Sequence, residues 1–206
     1  MIIGVDFDNT IATYGDLMYK IAVGAGFVNK NVVANKQAIR NAIRALPDGE
    51  KKWRIVQAKA YGPYMKEAKL IEGVWTFFTN LKKMGIPVYI ISHKTEYADF
   101  DPSKTNLRKA ALSWMEEKKF FSENGLGLCE DNVRFGATRI EKLEWIKHLG
   151  CSHFIDDLEE VFREPDFPGA VRKILYSPLS IKTSLADIEA LSSWDSIYEN
   201  IFGRLN

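Results

Sequence analysis

Cysteine is scarce in this chain: Cys129 and Cys151 are the whole supply, and neither falls in a CxxC or Cys/His pattern. Two isolated thiols make neither a disulfide framework nor a zinc site, so a reducing, cytoplasmic compartment is expected. Long hydrophobic runs are missing too. No stretch approaches the roughly 20 apolar residues that span a bilayer. The segment Met1–Thr10 has no basic cluster and contains Asp6 and Asp8, which is unlike a signal or transit peptide. There is no internal repeat and no low-complexity tract. What remains is 206 residues with 46% hydrophobic and 27% charged side chains, the balance of a globule that can bury a real core. That length suits one domain with a sizeable insertion.

Five apolar runs have the length and β-branched or aromatic character of buried strands: Ile2–Phe7, Pro87–Ser92, Asn132–Phe135, Ser152–Asp156 and Val171–Tyr176. Helical patterns lie between them, at Val74–Met84 before Gly85 and Pro87, and at Thr138–Leu149 before Gly150. The alternation predicts an α/β fold with a sheet of parallel strands. The first two strands are separated by about eighty residues, where a crossover needs only about a dozen. Within that gap Leu17, Ile21, Ile39, Ile43, Trp53 and Val56 recur at helical spacing, so a helical subdomain is expected over 14–70, with the core formed by 1–13 and 71–206. Charge sets the two apart. The insertion has 11 Lys and Arg against 4 Asp and Glu, net +7, leaving −6 on the rest of a chain of net +1.

Three strands end in small polar or acidic residues: Asp6-Phe7-Asp8, Ser92-His93 and Asp156-Asp157. Ligands of open α/β sheets bind beyond the carboxyl ends of the strands, so these ends can converge on one site. Four carboxylates there would repel one another unless a cation offsets them. An all-oxygen donor set favours Mg²⁺ over a proton-sharing dyad. Thr138 and Glu141 form a T-x-x-E capping box, which puts Arg139 and Lys142 near a helix start where the dipole disfavours cations. Two cations so placed imply an anion nearby.

These residues carry a family resemblance. Asp6-Phe7-Asp8-Asn9-Thr10 after a hydrophobic strand resembles the D-x-D-x-T first motif of the haloacid dehalogenase-like (HAD) superfamily. Ser92 resembles its second motif, Lys142 its third and Phe154-Ile155-Asp156-Asp157 its acidic fourth. The resemblance implies a Rossmann-like core with a helical cap inserted after the first motif, the C1 arrangement, in a phosphatase type. It also implies that Asp6 is the nucleophile and Asp8 the acid and base. By the same resemblance Ser92 binds phosphoryl oxygens, Lys142 neutralises charge, and Asp156 and Asp157 complete a Mg²⁺ site with Asp6 and Asp8. Arg139 competes with Lys142 for the third role, and either Asp156 or Asp157 can be the one that touches the metal.

The substrate-binding candidates are Thr10, Ser92, His93, Lys94 and Arg139. Asp8 provides an acid for an oxygen leaving group, which favours a phosphatase over a dehalogenase. The expected activity is Mg²⁺-dependent hydrolysis of a small phosphorylated metabolite through an aspartyl-phosphate. The basic insertion points to a substrate with more than one anionic group, such as a nucleotide, a sugar phosphate or a phospho-acid. No nucleic-acid or membrane partner is expected. The alternatives are a phosphotransferase or mutase of the same superfamily, and a non-catalytic binding or regulatory module.

Overall fold

The protein is described by a computed structural model over residues 1–180, 183 and 185–203. In chain order its elements are β1 (Ile3–Val5), β2 (Ala12–Thr13), α1 (Gly15–Gly24), α2 (Lys36–Arg44), α3 (Gly49–Tyr61), β3 (Lys69–Leu70), α4 (Val74–Met84), β4 (Val88–His93) and α5 (Leu107–Glu117). There follow β5 (Val133–Gly136), α6 (Arg139–His148), β6 (His153–Asp156), α7 (Glu159–Phe162), β7 (Arg172–Tyr176), β8 (Ile188–Leu191) and α8 (Trp194–Phe202). Short 3-10 turns cover Met65–Glu67 and Glu130–Asn132.

The chain divides into two compact units, one of Met1–Ala12, Leu70–Lys94 and Lys119–Asn206, the other of Thr13–Lys69 and Thr95–Lys118. The first unit holds a six-stranded sheet in the order β5-β4-β1-β6-β7-β8, parallel throughout. This is the expected α/β Rossmann-like architecture. From β1 the chain builds outward through β4 and β5, then returns to β6 on the other side of β1 and builds outward again. The reversal of direction at β1 opens a crevice at the carboxyl ends of β4, β1 and β6.

Apolar side chains cover the sheet as buried parallel strands require. One cluster joins Ile91, Phe154 and Leu175 of the sheet to Leu143 and Ile146 of α6 and to Phe162 and Phe167. Elsewhere Phe77 of α4 packs against Trp194 of α8, with ring centroids 4.9 Å apart, and the Trp194 indole N–H donates to the carbonyl of Thr10 at 3.2 Å. Each such aromatic contributes roughly 1.5–3 kcal/mol through burial.

In the second unit α1, α2 and α3 pack on one another. Ile39 and Ile43, one helical turn apart on α2, are fully buried, and Asn35 caps that helix by accepting from the Ala38 amide. A third component differs from the expected 14–70 insertion. Thr95–Lys118, placed in the core by sequence order alone, belongs to the second unit, where α5 packs against α3 and the Met65–Glu67 turn. The reason lies in Trp114, which is 1% exposed and donates from its indole nitrogen to the carbonyl of Ala68 at 2.9 Å. Among the described residues no helix is long and apolar enough to cross a membrane.

Candidate active site

The first strand delivers two carboxylates to one side. In extended backbone residues i and i+2 share a face, so Asp6 and Asp8 project together while Phe7 turns into the core with no exposure. Beyond Asp8 the chain reverses in a tight loop. Ile11 and Ala12 donate from their amides to the Phe7 carbonyl, at 2.9 and 3.1 Å, and Asn9 takes a left-handed φ of 66°. Asparagine is among the few non-glycine residues that tolerate that region. Thr10, fully buried in the loop, holds its hydroxyl 3.5 Å from Asp6 Oδ2.

Lys142 is the hub. Its Nζ lies 2.6 Å from Asp6 Oδ1 and 2.6 Å from Asp156 Oδ2, so one ammonium joins the ends of β1 and β6. Helix α6 can bring it there because Gly136 lacks a side chain: a Cβ at that position would come within 2.8 Å of the Lys142 amide and 2.9 Å of the Thr138 carbonyl. The capping box forms in modified shape. Thr138 accepts from the Glu141 amide at 3.2 Å, but the Glu141 carboxylate reaches past the cap to the amide of Ala137, at 2.8 Å.

Burial decides the electrostatics of this cluster. It pulls the Lys142 ammonium down, yet the charges of Asp156 and Asp6 outweigh it and leave the lysine raised. Asp156 is pushed up to about 6, chiefly by burial, with Lys142 pulling the other way and Asp6 adding to the rise. Its second oxygen accepts from the Leu158 amide at 2.9 Å.

A separate ion pair holds Asp8. Lys94, only 4% exposed, places Nζ 2.7 Å from Asp8 Oδ2 and 5.6 Å from the centre of the Phe7 ring. Its own amide donates to the Gly136 carbonyl at 2.8 Å, continuing the β4–β5 ladder one residue past the strand. Sequence marks Lys94 as a substrate-binding candidate after a strand and does not reveal Asp8 as its partner. The signal for its partner is its position two residues beyond Ser92, just past the strand next to β1.

The other candidates divide. Ser92 is buried at the end of β4, in register with Phe135. Exposed His93 approaches the Ala137 carbonyl through Nε2 at 3.1 Å. Arg139 is turned elsewhere: it pairs with Glu164, while Lys142 meets the aspartates.

Asp6, Asp156 and half-buried Asp157 each offer a carboxylate oxygen within 4.8 Å of the others. Three carboxylates against the single ammonium of Lys142 leave two negative charges in a largely buried cluster, and all its donors are hard oxygens. That donor set and charge excess fit a divalent cation such as Mg²⁺.

No protein-family model matches the sequence, and no curated protein matches it. Solved structures do resemble the fold. A HAD-superfamily hydrolase from Ehrlichia chaffeensis aligns with a TM-score of 0.55 and 14% identity over 97% of this chain and 95% of its own. Protein tyrosine kinase A of Mycobacterium tuberculosis aligns with a TM-score of 0.63 and 13% identity over 98% and 97%. A structure described as a dehalogenase gives 0.57 and 12% over 99% and 97%. A hydrolase, a kinase and a dehalogenase by name share this architecture, so the fold alone leaves the chemistry open and the side chains must decide it. The chain has the fold of the HAD-superfamily hydrolases.

Proposed function

We propose that the chain is a HAD-superfamily hydrolase acting as a phosphatase on a small, multiply anionic substrate, with Asp6 as covalent nucleophile. The observation that carries this reading is the division of labour between the two aspartates of β1. Asp6 is held by Lys142 together with Asp156, whereas Asp8, two residues on, is held apart by a lysine of its own, Lys94. A dehalogenase needs the first carboxylate and has no use for a second acid, because a halide leaves without a proton.

In this reading an oxygen of Asp6 attacks phosphorus, the bond to the leaving oxygen breaks, and Asp8 gives that oxygen its proton. Water then attacks the acyl phosphate, Asp8 takes the water proton, and Asp6 is released with inorganic phosphate. Lys142 offsets the charge that gathers around the Asp6 oxygens. Buried Ser92 is the hydroxyl available at the end of β4 to orient a phosphoryl oxygen. Asp6, Asp156 and Asp157 would hold Mg²⁺, which supplies a positive charge for phosphoryl oxygens when bound. The net charge of +7 over 14–70 favours a substrate carrying more than one anionic group.

The test is to trap the phosphoenzyme with p-nitrophenyl phosphate and Mg²⁺, quench in acid and weigh the intact protein. Asp6→Asn is expected to lose turnover and form no adduct. Asp8→Asn is expected to slow turnover by about 10²–10⁴-fold and to accumulate one phosphoryl group, since this leaving group needs little protonation. An adduct on the Asp6→Asn protein would refute the assignment.

A further inference from the structure

We propose that the second unit carries a ligand site of its own, for a small carboxylate with an apolar body. Residues of α1, the end of α3 and the Met65–Glu67 turn line an open pocket of about 340 Å³, all of them within this unit. That volume falls at the small end of the range for ligand pockets, roughly 300–1,000 Å³. Leu17, 4% exposed, and Ile21 line it with apolar surface, and Tyr64, 42% exposed, stands at its wall. The wall is fixed by backbone: the Tyr64 amide donates to the Lys59 carbonyl at 3.0 Å, and the Glu67 amide to the Tyr64 carbonyl at 2.9 Å.

Charge selects the ligand. At the rim Lys20 and Glu67 stand 4.0 Å apart and offset one another. Lys59, half-buried in the last turn of α3, has no side-chain partner among the described residues and leaves the lining one positive charge in excess. Part of the adjacent end of α1 is closed to a cation in its place. The carbonyls of Ile21, Ala22 and Val23 already accept from the amides of Ala25, Phe27 and Gly26, at 3.0, 2.9 and 3.0 Å. An inorganic anion would satisfy Lys59 but leave the apolar lining and the Tyr64 face wet. A carboxylate on an aromatic or branched body satisfies both.

Gly24, the last residue of α1, lines the pocket, and a Cβ built there meets nothing within 4 Å. Filling this space therefore tests the site without disturbing packing. Titration calorimetry on the full chain would compare 3-phenylpropionate with 3-phenylpropanol, which has the same body and no charge. Saturable binding of the acid is expected, with the alcohol about five- to tenfold weaker through loss of the charge-assisted contact to Lys59. Lys59→Met should weaken the acid by the same factor and leave the alcohol unaffected, and Gly24→Leu should remove binding of both. Millimolar inorganic phosphate should not compete.

The proposal is overturned if the acid fails to saturate, if acid and alcohol bind equally, if Lys59→Met binds the acid as the unsubstituted chain does, or if phosphate displaces it. Should Gly24→Leu not fold, the Lys59→Met comparison decides alone. These outcomes are independent of whether Asp6 is a nucleophile.

Discussion

In the first unit Lys142 joins Asp6 and Asp156 at side-chain exposures of 2%, 7% and 0%, whereas in the second unit Arg44 and Glu50 pair at 45% and 61%. Arg54 and Asp99 are similarly open, and Lys69 pairs with Asp16 at 68% and 55%. Water already solvates the exposed pairs, so forming them changes little. Removing three charges from water is expensive, and packing alone would be served better by apolar residues. A fold retains such a cluster where the charges themselves are needed, which is why the buried ion pairs of the first unit inform about chemistry and the exposed ion pairs of the second do not.

The contrast breaks most visibly at Lys142. Lys142→Ala leaves two buried carboxylates facing each other, and a loss of about 3–5 kcal/mol is expected in urea unfolding at neutral pH without divalent ions. An unchanged midpoint would mean that the cluster is solvated after all. Position in the first turn of a helix would by itself let this substitution pass or even stabilise. Burial reverses that sign.

A sharper probe of burial within the first unit is the thiol pair. Burial pushes Cys151 up to about 11, while Cys129 is exposed. At pH 8 only about one Cys151 in a thousand is thiolate. Dithionitrobenzoate should therefore label Cys129 promptly and Cys151 only after urea. Labelling of both at similar rates in the native protein would show the β6 region open.

Lys94→Met should cost less than Lys142→Ala, about 1–3 kcal/mol, because its partner Asp8 keeps 18% side-chain exposure. The smallest effect belongs to the second unit. A double-mutant cycle on Arg54→Ala and Asp99→Ala should give a coupling of roughly 0.2–1 kcal/mol that shrinks with added salt. A salt-insensitive coupling as large as that at Lys142 would erase the distinction between the units.

Strands buried on both faces announce themselves, so the runs at Ile2–Phe7 and Val171–Tyr176 each contain an observed strand, Pro87–Ser92 overlaps all but the last residue of β4, and Val74–Met84 is a helix over the same residues. The edge strand β8 is not legible, because Ile188-Glu189-Ala190-Leu191 buries only its first residue and lacks a continuous apolar run. Of the site, the aspartates and Lys142 can be read from strand ends and a cap. The Lys94–Asp8 pair cannot, since it depends on which strand lies beside β1. Nor does Trp114 announce its place: an amphipathic helix shows that one face is buried, not which partner buries it.

The second unit is assembled from two stretches of chain separated by residues 70–94. It is therefore not a portable cassette. Excising 14–68 in one cut, as an engineer exchanging modules between relatives would do, takes away the Ala68 carbonyl that holds the Trp114 indole and leaves α5 attached with its apolar face bare. A graft that respects the architecture must move both stretches together, and a chimera moving only the first should be recovered as aggregate.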